Sequence, residues 1–370
     1  MTDLLCFRDA TKADVAALNA LEERCFDTDR LSRRSFQRMV GSTDTAHLLL
    51  VEDRGGNLLG YSLILFHRGT SLARLYSIAV APEARGRGVA EQLLARGEAE
   101  AAGRDRVFMR LEVNTGNRGA IRLYEKLGYH PFGVYHDYYE DHADALRMQK
   151  RVLPYPHDAS HRSIPYYAQT TEFSCGPACL MMAMAALDPV YQPNRSDELR
   201  LWREATTIFM TSGHGGCGPH GLALAAWRRG YRAKIYVNQR GPLFLEGVRR
   251  QEKKSVLAQV HADFIDDLAA TDVVIRHRPP DLATLRKAIA RGETPVVLIS
   301  TYRFDAQKSP HWVLVTAIDD RFAYIHDPDL DGGARRALDN QYLPIEIDAF
   351  LQSMQFGQQR LRAALIIGQR

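Results

Sequence analysis

The sequence predicts an α/β unit, a sheet flanked by helices, followed by an α+β unit. Three observations carry this. Strand-like and helix-like runs alternate as far as residue 152, a proline-interrupted stretch then breaks every period, and beyond it helical runs come first while strand-like runs cluster late. The boundaries read as a first domain over 1–152, a linker over 153–164 and a second domain over 165–370.

In the first domain "ADVAALNALEERCF" has the spacing of an amphipathic helix. "HLLLVED", "LGYSLILFH", "RLYSIAVAP" and "RVFMRLEVN" are short runs rich in branched and aromatic residues, as strands are. "VAEQLLARGEAEAAG" and "GAIRLYEKLG" return to the helical period. The segment "KRVLPYPHDASHRSIP" holds no period at all, because its prolines remove donors and fix φ. In the second domain "CGPACLMMAMAAL", "SDELRLWREATTIF", "HGLALAAWRRG" and "EGVRRQEKKSVLAQVHADFIDDLAA" read as helices, and "PVVLIS", "HWVLVTAID" and "FAYIHD" as strands. The charged part of the fourth helix keeps aliphatics at helical spacing and reads as a solvated face. No fixed-period repeat is present.

Lys and Arg number 48 against 44 Asp and Glu, a net charge of +4, and 21 of each sign stand before Arg151. Neither half is polybasic, so nucleic acid and anionic membranes are poor partners. The opening has no basic and then apolar leader, and no run approaches about 18 apolar residues, so a cytoplasmic protein is expected. Five cysteines in a chain of 370 residues form an odd, sparse set, which argues for reduced thiols. Oligomeric state stays open.

Within "YSIAVAPEARGRGVAEQLLARGEAEA" a strand ends, a turn follows, and Arg85-Gly86-Arg87-Gly88-Val89-Ala90 opens a helix. Glycines there allow backbone N–H groups to point at a ligand, and a helix N-terminus adds positive partial charge, which suits a pyrophosphate. A dinucleotide fingerprint fails at its third glycine, where Glu91 stands. The pattern Arg-x-x-Gly-x-Ala, after a strand ending Ile78-Ala79-Val80, resembles the acetyl-CoA signature of the GNAT acetyltransferase superfamily. "LEVNTGNRGAIRLYEKLGYHPFG" resembles its second motif through Asn117, Leu123-Tyr124, Gly128 and Tyr129. Within the superfamily the stretch from Thr2 to Val152 looks most like the ribosomal-protein alanine N-acetyltransferases. That resemblance implies acetyl-CoA held by Ile78, Val80, Arg85 to Ala90, Asn117 and Tyr124. It also implies Glu112 as general base, Tyr124 as general acid and a protein or peptide amine as acceptor. Where those enzymes often carry an aromatic, proline-containing acceptor loop, this chain has "CFDTDRLSRRSF".

Two Cys-Gly-Pro turns lie in the second domain, at Cys175 and Cys217. A thiol at a helix N-terminus gains stabilisation for its thiolate, and Cys175 stands just before Gly176-Pro177 and an apolar run. Cys179, one turn further in, reads as core. Gln169 lies where its amide could join the Cys175 backbone N–H as oxyanion donor, a partner the second turn lacks. His311 begins one strand and Asp327 ends the next across a turn at Asp319-Asp320-Arg321, so the two ends should face each other and the carboxylate orient the imidazole. His326 should point to the opposite face. Gln169, Cys175, His311 and Asp327 together, over Ile164 to Pro328, resemble the papain-like double-glycine peptidases that process bacteriocin leaders. This implies a papain-like fold and peptide-bond hydrolysis, although Ser174 stands where that family often has Asp. A non-catalytic peptide-binding module and an amidase or transamidase are the alternatives. His214, Cys217 and His220 crowd together without a fourth ligand, so no metal is expected.

Overall fold

The structure, a computed structural model, describes residues 5–66, 69–153, 164–209, 214–246, 248–302, 309–330 and 340–370. The chain separates into two compact units, Met1–Pro156 and His157–Arg370. The expected linker over 153–164 lies, apart from its end residues, outside the described residues.

The first unit runs β1 (Cys6–Asp9), α1 (Val15–Cys25), α2 (Arg33–Val40), β2 (Ala46–Glu52), β3 (Leu58–Phe66), β4 (Leu72–Val80), α3 (Val89–Gly103), β5 (Phe108–Asn114), α4 (Arg118–Lys126), β6 (His130–Tyr135) and β7 (Ala145–Arg151). Its sheet has the order β1-β2-β3-β4-β5-β7-β6. Helices α1 and α2 cover one face and α3 and α4 the other. Of the recorded pairs in this sheet only β4 with β5 is parallel, and it registers Leu72–Arg74 against Phe108–Arg110 and no further. Tyr76 is an extra residue in β4, since Ser77 pairs with Leu63 and Leu75 with Ile64. A bulge bends its strand and increases twist, so β4 leaves β5 and a gap opens between their C-terminal ends. The bulge also reverses parity, turning Ser77 and Ala79 to the face that Arg74 occupies before it.

The second unit adds α5 (Cys175–Leu187), α6 (Arg195–Ala205), α7 (Pro219–Arg228), β8 (Tyr231–Val237), α8 (Gln251–Ala269), β9 (Val274–Arg276), α9 (Leu282–Ala290), β10 (Thr294–Ser300), β11 (Pro310–Ile318), β12 (Phe322–His326), β13 (Leu343–Glu346), α10 (Ile347–Ser353) and β14 (Ala363–Gln369). The sheet order is β13-β12-β11-β10-β14-β8-β9. All but Ala186 of the thirteen residues in α5 are buried, so this helix is the centre of the unit rather than a surface element. It packs on β10, β11 and β14. Each fully buried Leu or Met there contributes about 2 kcal/mol.

The structure departs from the sequence reading in several places, two of them beside the second unit's core. The helix expected over "SDELRLWREATTIF" stops at Ala205, because Thr206 bridges Cys217 and Phe209 bridges His214. The Thr206 and Thr207 hydroxyls donate to the Gly215 and Gly216 carbonyls, an alternative to continuing the helix. Strand β8 was also missed among the helices, although "YRAKIYV" alternates buried and partly exposed residues along much of its length.

Candidate functional sites

Gly86 and Gly88 hold φ values of 76° and 72°, a left-handed backbone that a side chain resists. Gly88 is the N-cap of α3, and no side chain caps it. The first amides of α3, from Gly88 to Glu91, therefore have no acceptor within the helix and are left at its N-terminus for a ligand or solvent. Arg85 leans back so that its Nε donates to the Val80 carbonyl at 3.3 Å, an oxygen also met by the Cys25 thiol at 3.5 Å. Ile78 and Val80 are half-buried on the strand that leads in, and Arg87, Val89 and Ala90 follow in the loop and first turn. The chemistry of this donor set fits the phosphates of acetyl-CoA, whose thioester supplies the acetyl group. Asn117 acts locally, its side chain capping α4 by accepting from the Ala120 N–H at 3.1 Å.

Glu112 lies on β5 two residues past the last pair with β4, and its side chain is 6% exposed. Arg74 donates to Glu112 Oε2 from Nε at 2.8 Å and from a terminal nitrogen at 2.7 Å, and it also donates to the Tyr138 hydroxyl at 2.9 Å. Tyr124 projects from α4 into the core on the other face of β5, and burial pushes its hydroxyl up to about 12, so the phenol is protonated at neutral pH. Tyr139 went unnoticed in the sequence. Burial raises its hydroxyl, the charges of Tyr138, Glu112 and Tyr124 raise it further, and its ring packs on Tyr138 at 4.9 Å.

In the second unit Cys175 is the first residue of α5 and 8% exposed. The glycine after it permits close packing: a Cβ on Gly176 would lie 3.0 Å from Leu222, 3.2 Å from Trp312 and 3.3 Å from the Cys217 Cβ. The second Cys-Gly-Pro turn is thus the surface on which the first one rests. Trp312 joins them, its indole N–H donating to the Cys217 carbonyl at 2.9 Å and its own carbonyl accepting from the Cys179 thiol at 3.2 Å. Burial raises both the Cys179 and Cys217 thiols well above the usual range, as befits core residues.

His311 meets Asp327 through Nε2 at 2.7 Å, with the two side chains 7% and 6% exposed. The register refines the expected geometry. His326 pairs with Leu314, and Thr316 is an extra residue, so Asp327 stands beside Val313 and reaches His311 on the diagonal. Burial opposes charging of His311, yet the Asp327 carboxylate and the Cys175 sulfur, acting through hydrogen bonds and charge, raise the imidazole well above its ordinary value. Asp327 Oδ1 also accepts the Asp329 N–H at 3.0 Å. Gln169 is drawn to this corner by its backbone N–H, which donates to the Pro328 carbonyl at 2.9 Å, and its side-chain oxygen is buried with no partner among the described residues. His326 faces away, bonded to the Ile164 carbonyl and the Tyr342 N–H.

Glu198, on α6, is the residue sequence reasoning overlooked. It is fully buried and accepts from the Tyr167 hydroxyl at 2.8 Å, the Thr170 N–H and hydroxyl at 2.7 Å each, and the Ser174 hydroxyl. The loop that carries Gln169 and delivers Cys175 is pinned by this one carboxylate, and Ser174 points into it. Only an acid on an otherwise buried helix stripe marked it in the sequence. His214 stacks on Phe173 at 4.8 Å and His220 lies against His261 at 4.9 Å. Among the described residues no group of three His, Cys, Asp or Glu could hold a metal ion, and no helix is long and apolar enough to cross a membrane.

In the first unit a split sheet accompanies an uncapped glycine turn, and in the second a thiol, an imidazole and a carboxylate gather at the tip of a central helix. Residues 164–368 match the Peptidase_C39 like family and residues 15–129 the acetyltransferase (GNAT) family. The chain belongs to both, the first through its second unit and the second through its first. A putative ribosomal protein bS18-alanine N-acetyltransferase of Bacillus subtilis is 31% identical over 142 residues, 38% of this chain and 91% of that protein. A mycothiol acetyltransferase of Salinispora tropica is 36% identical over 101 residues, 26% of this chain and 32% of that protein. Among solved structures, the ribosomal-protein-S18-alanine N-acetyltransferase of Escherichia coli has a TM-score of 0.38 at 23% identity, covering 42% of this chain and 98% of that one.

Proposed function

We propose that the chain is bifunctional, transferring acetyl from acetyl-CoA to the amine of a protein or peptide in its first unit and hydrolysing a peptide bond in its second. The relatives named for alanine N-acetylation favour an α-amine, alanine first, as acceptor. In this reading Arg85 to Ala90 bind the acetyl donor, with Ile78 and Val80 on the strand beside it. Glu112 takes a proton from the acceptor nitrogen and Tyr124 returns one to the departing sulfur. Asn117 shapes the start of α4.

For the second unit the contact of His311 with Asp327, beside a sulfur at the N-terminus of α5, carries the reading. His311 accepts the Cys175 proton as the sulfur attacks the carbonyl carbon, and then gives it to the departing amine. Water next cleaves the thioester and releases the acid. The oxyanion faces the Cys175 N–H and Gln169, whose buried carboxamide end is kept for it; a half-turn of that group presents its NH2. Cleavage exposes a new α-amine, and acetyl transfer caps it. Reduced cysteines and acetyl-CoA point to the cytoplasm as the place for both steps.

The test is a peptide-library digest with acetyl-CoA present, read by mass. Cleaved products gaining one acetyl group are expected, with Cys175→Ala removing cleavage and, with it, acetylation of the new ends. Acetylation of the same ends by the Cys175→Ala chain would reject the coupling.

A further inference from the structure

Acetylation strips two protons from an ammonium nitrogen as the C–N bond forms and the C–S bond breaks, while sulfur gains one. Tyr124 supplies that one and regains it from solvent, and Glu112 takes one of the two. The second proton needs another acceptor.

On the α1 side of the sheet a hydrogen-bonded line runs from α1 to the gap between β4 and β5. Glu22 is 2% exposed and Tyr61 fully buried. The Glu22 carboxyl meets the Tyr61 hydroxyl, and that hydroxyl meets Ser77 Oγ at 2.7 Å. The other Glu22 oxygen accepts the Leu31 N–H at 2.8 Å, in the stretch "CFDTDRLSRRSF". Ser77 follows the Tyr76 bulge, so in the count from the last parallel pair, Arg74 with Arg110, it stands abreast of Glu112 and on the same face. Ser77 and Glu112 are thus the polar residues on the two lips of one opening.

We propose that Ser77, Tyr61 and Glu22 form a proton relay for acetyl transfer, Ser77 Oγ receiving a proton from the acceptor nitrogen while Glu22 ends up carrying one. The inference rests on the acetyltransferase reading above. With Glu22 ionised, Tyr61 donates to it, Ser77 donates to Tyr61, and a lone pair of Ser77 faces the gap. One concerted shift moves a proton along every bond: nitrogen to Ser77, Ser77 to Tyr61, Tyr61 to Glu22. Afterwards Ser77 presents its O–H outward and the line resets by giving a proton to solvent. Glu22 suits the end of the line. Burial raises its proton affinity, which the hydrogen bonds from Tyr61 and Leu31 and the charge of Arg30 partly offset. The other groups around it are Cys25 on its own helix and Ser77 beyond Tyr61, while α2 contributes the apolar ring of Phe36 against Tyr61 at 5.5 Å.

The test is the pH profile of kcat with acetyl-CoA and a synthetic peptide beginning with alanine, for the full chain and for Glu22→Gln, Tyr61→Phe, Ser77→Ala and Ser77→Thr. We expect kcat to fall about tenfold or more in the first three with KM for the peptide within twofold, the acidic limb of the profile to change, and Ser77→Thr to recover activity. Glu22→Gln can still hold Leu31, so a role confined to loop anchoring would leave its kcat and profile at wild-type values and overturn the relay. A rise in peptide KM alone in Tyr61→Phe and Ser77→Ala would overturn it equally. Failure of the wild-type chain to acetylate any amine would instead remove the reading beneath it.

Discussion

His311 and Asp327 sit on neighbouring strands, two positions out of direct register, and bond across the diagonal at 2.7 Å with both side chains nearly sealed from water. A pair so placed holds the imidazole ring in one plane, with its second nitrogen left for Cys175. Asp327→Asn is expected to keep the fold, since its amide oxygen can still accept from His311 and the Asp329 N–H, and to lower peptide hydrolysis about tenfold because the charge that stabilises the imidazolium is gone. Product release from a cleaved library peptide, with acetyl transfer followed in parallel as a control, measures it.

The same pair makes stability depend on pH. The folded-state value of His311 lies above its unfolded value, so its contribution is fully present below the unfolded value near 6.5 and is lost as pH rises through the folded one. Thermal unfolding of the second unit should therefore lose stability through that alkaline window, and His311→Gln should flatten the slope there. An identical slope in the variant would assign the dependence to other groups.

Thiol reactivity separates the cysteines of the second unit. Cys175 should be alkylated by iodoacetamide at pH 7, while Cys179 and Cys217, raised by burial, should stay intact until unfolding. Peptide mapping by mass reads each site. His311→Ala should slow alkylation of Cys175 about tenfold, and an unchanged rate would argue for a non-catalytic peptide-binding unit.

Glu198→Ala would leave the Tyr167, Thr170 and Ser174 donors buried without their acceptor. A loss of about 3 kcal/mol is expected, read as a lower denaturant midpoint for the second unit, together with loss of cleavage as the Cys175 loop loosens. Glu198→Gln keeps an acceptor for part of the set and should fall between.

Gly88→Ala places a side chain at φ 72° in the N-cap of α3. About 1 kcal/mol of strain is expected, and the amides of the first turn shift. Calorimetric titration with acetyl-CoA should show binding weakened about tenfold while peptide cleavage is untouched.

What the sequence determined by itself was local. Glycines at 86 and 88, proline after Cys175 and strand alternation around His311 are short-range signals. Each fixes a backbone conformation or a facing direction within a few residues, and so the uncapped glycine turn, the helix that begins at Cys175 and the His-Asp pair were legible. Tertiary structure decided what depends on distant partners. Glu198 is 24 residues from Ser174 and Glu22 is 39 from Tyr61, and neither acid differs from a surface glutamate until folding removes its water and brings hydroxyls to it. The single residues inserted at Tyr76 and Thr316 are equally invisible beforehand, because a bulge exists only relative to the strand it fails to match. They open the gap between β4 and β5 and set the diagonal from Asp327 to His311.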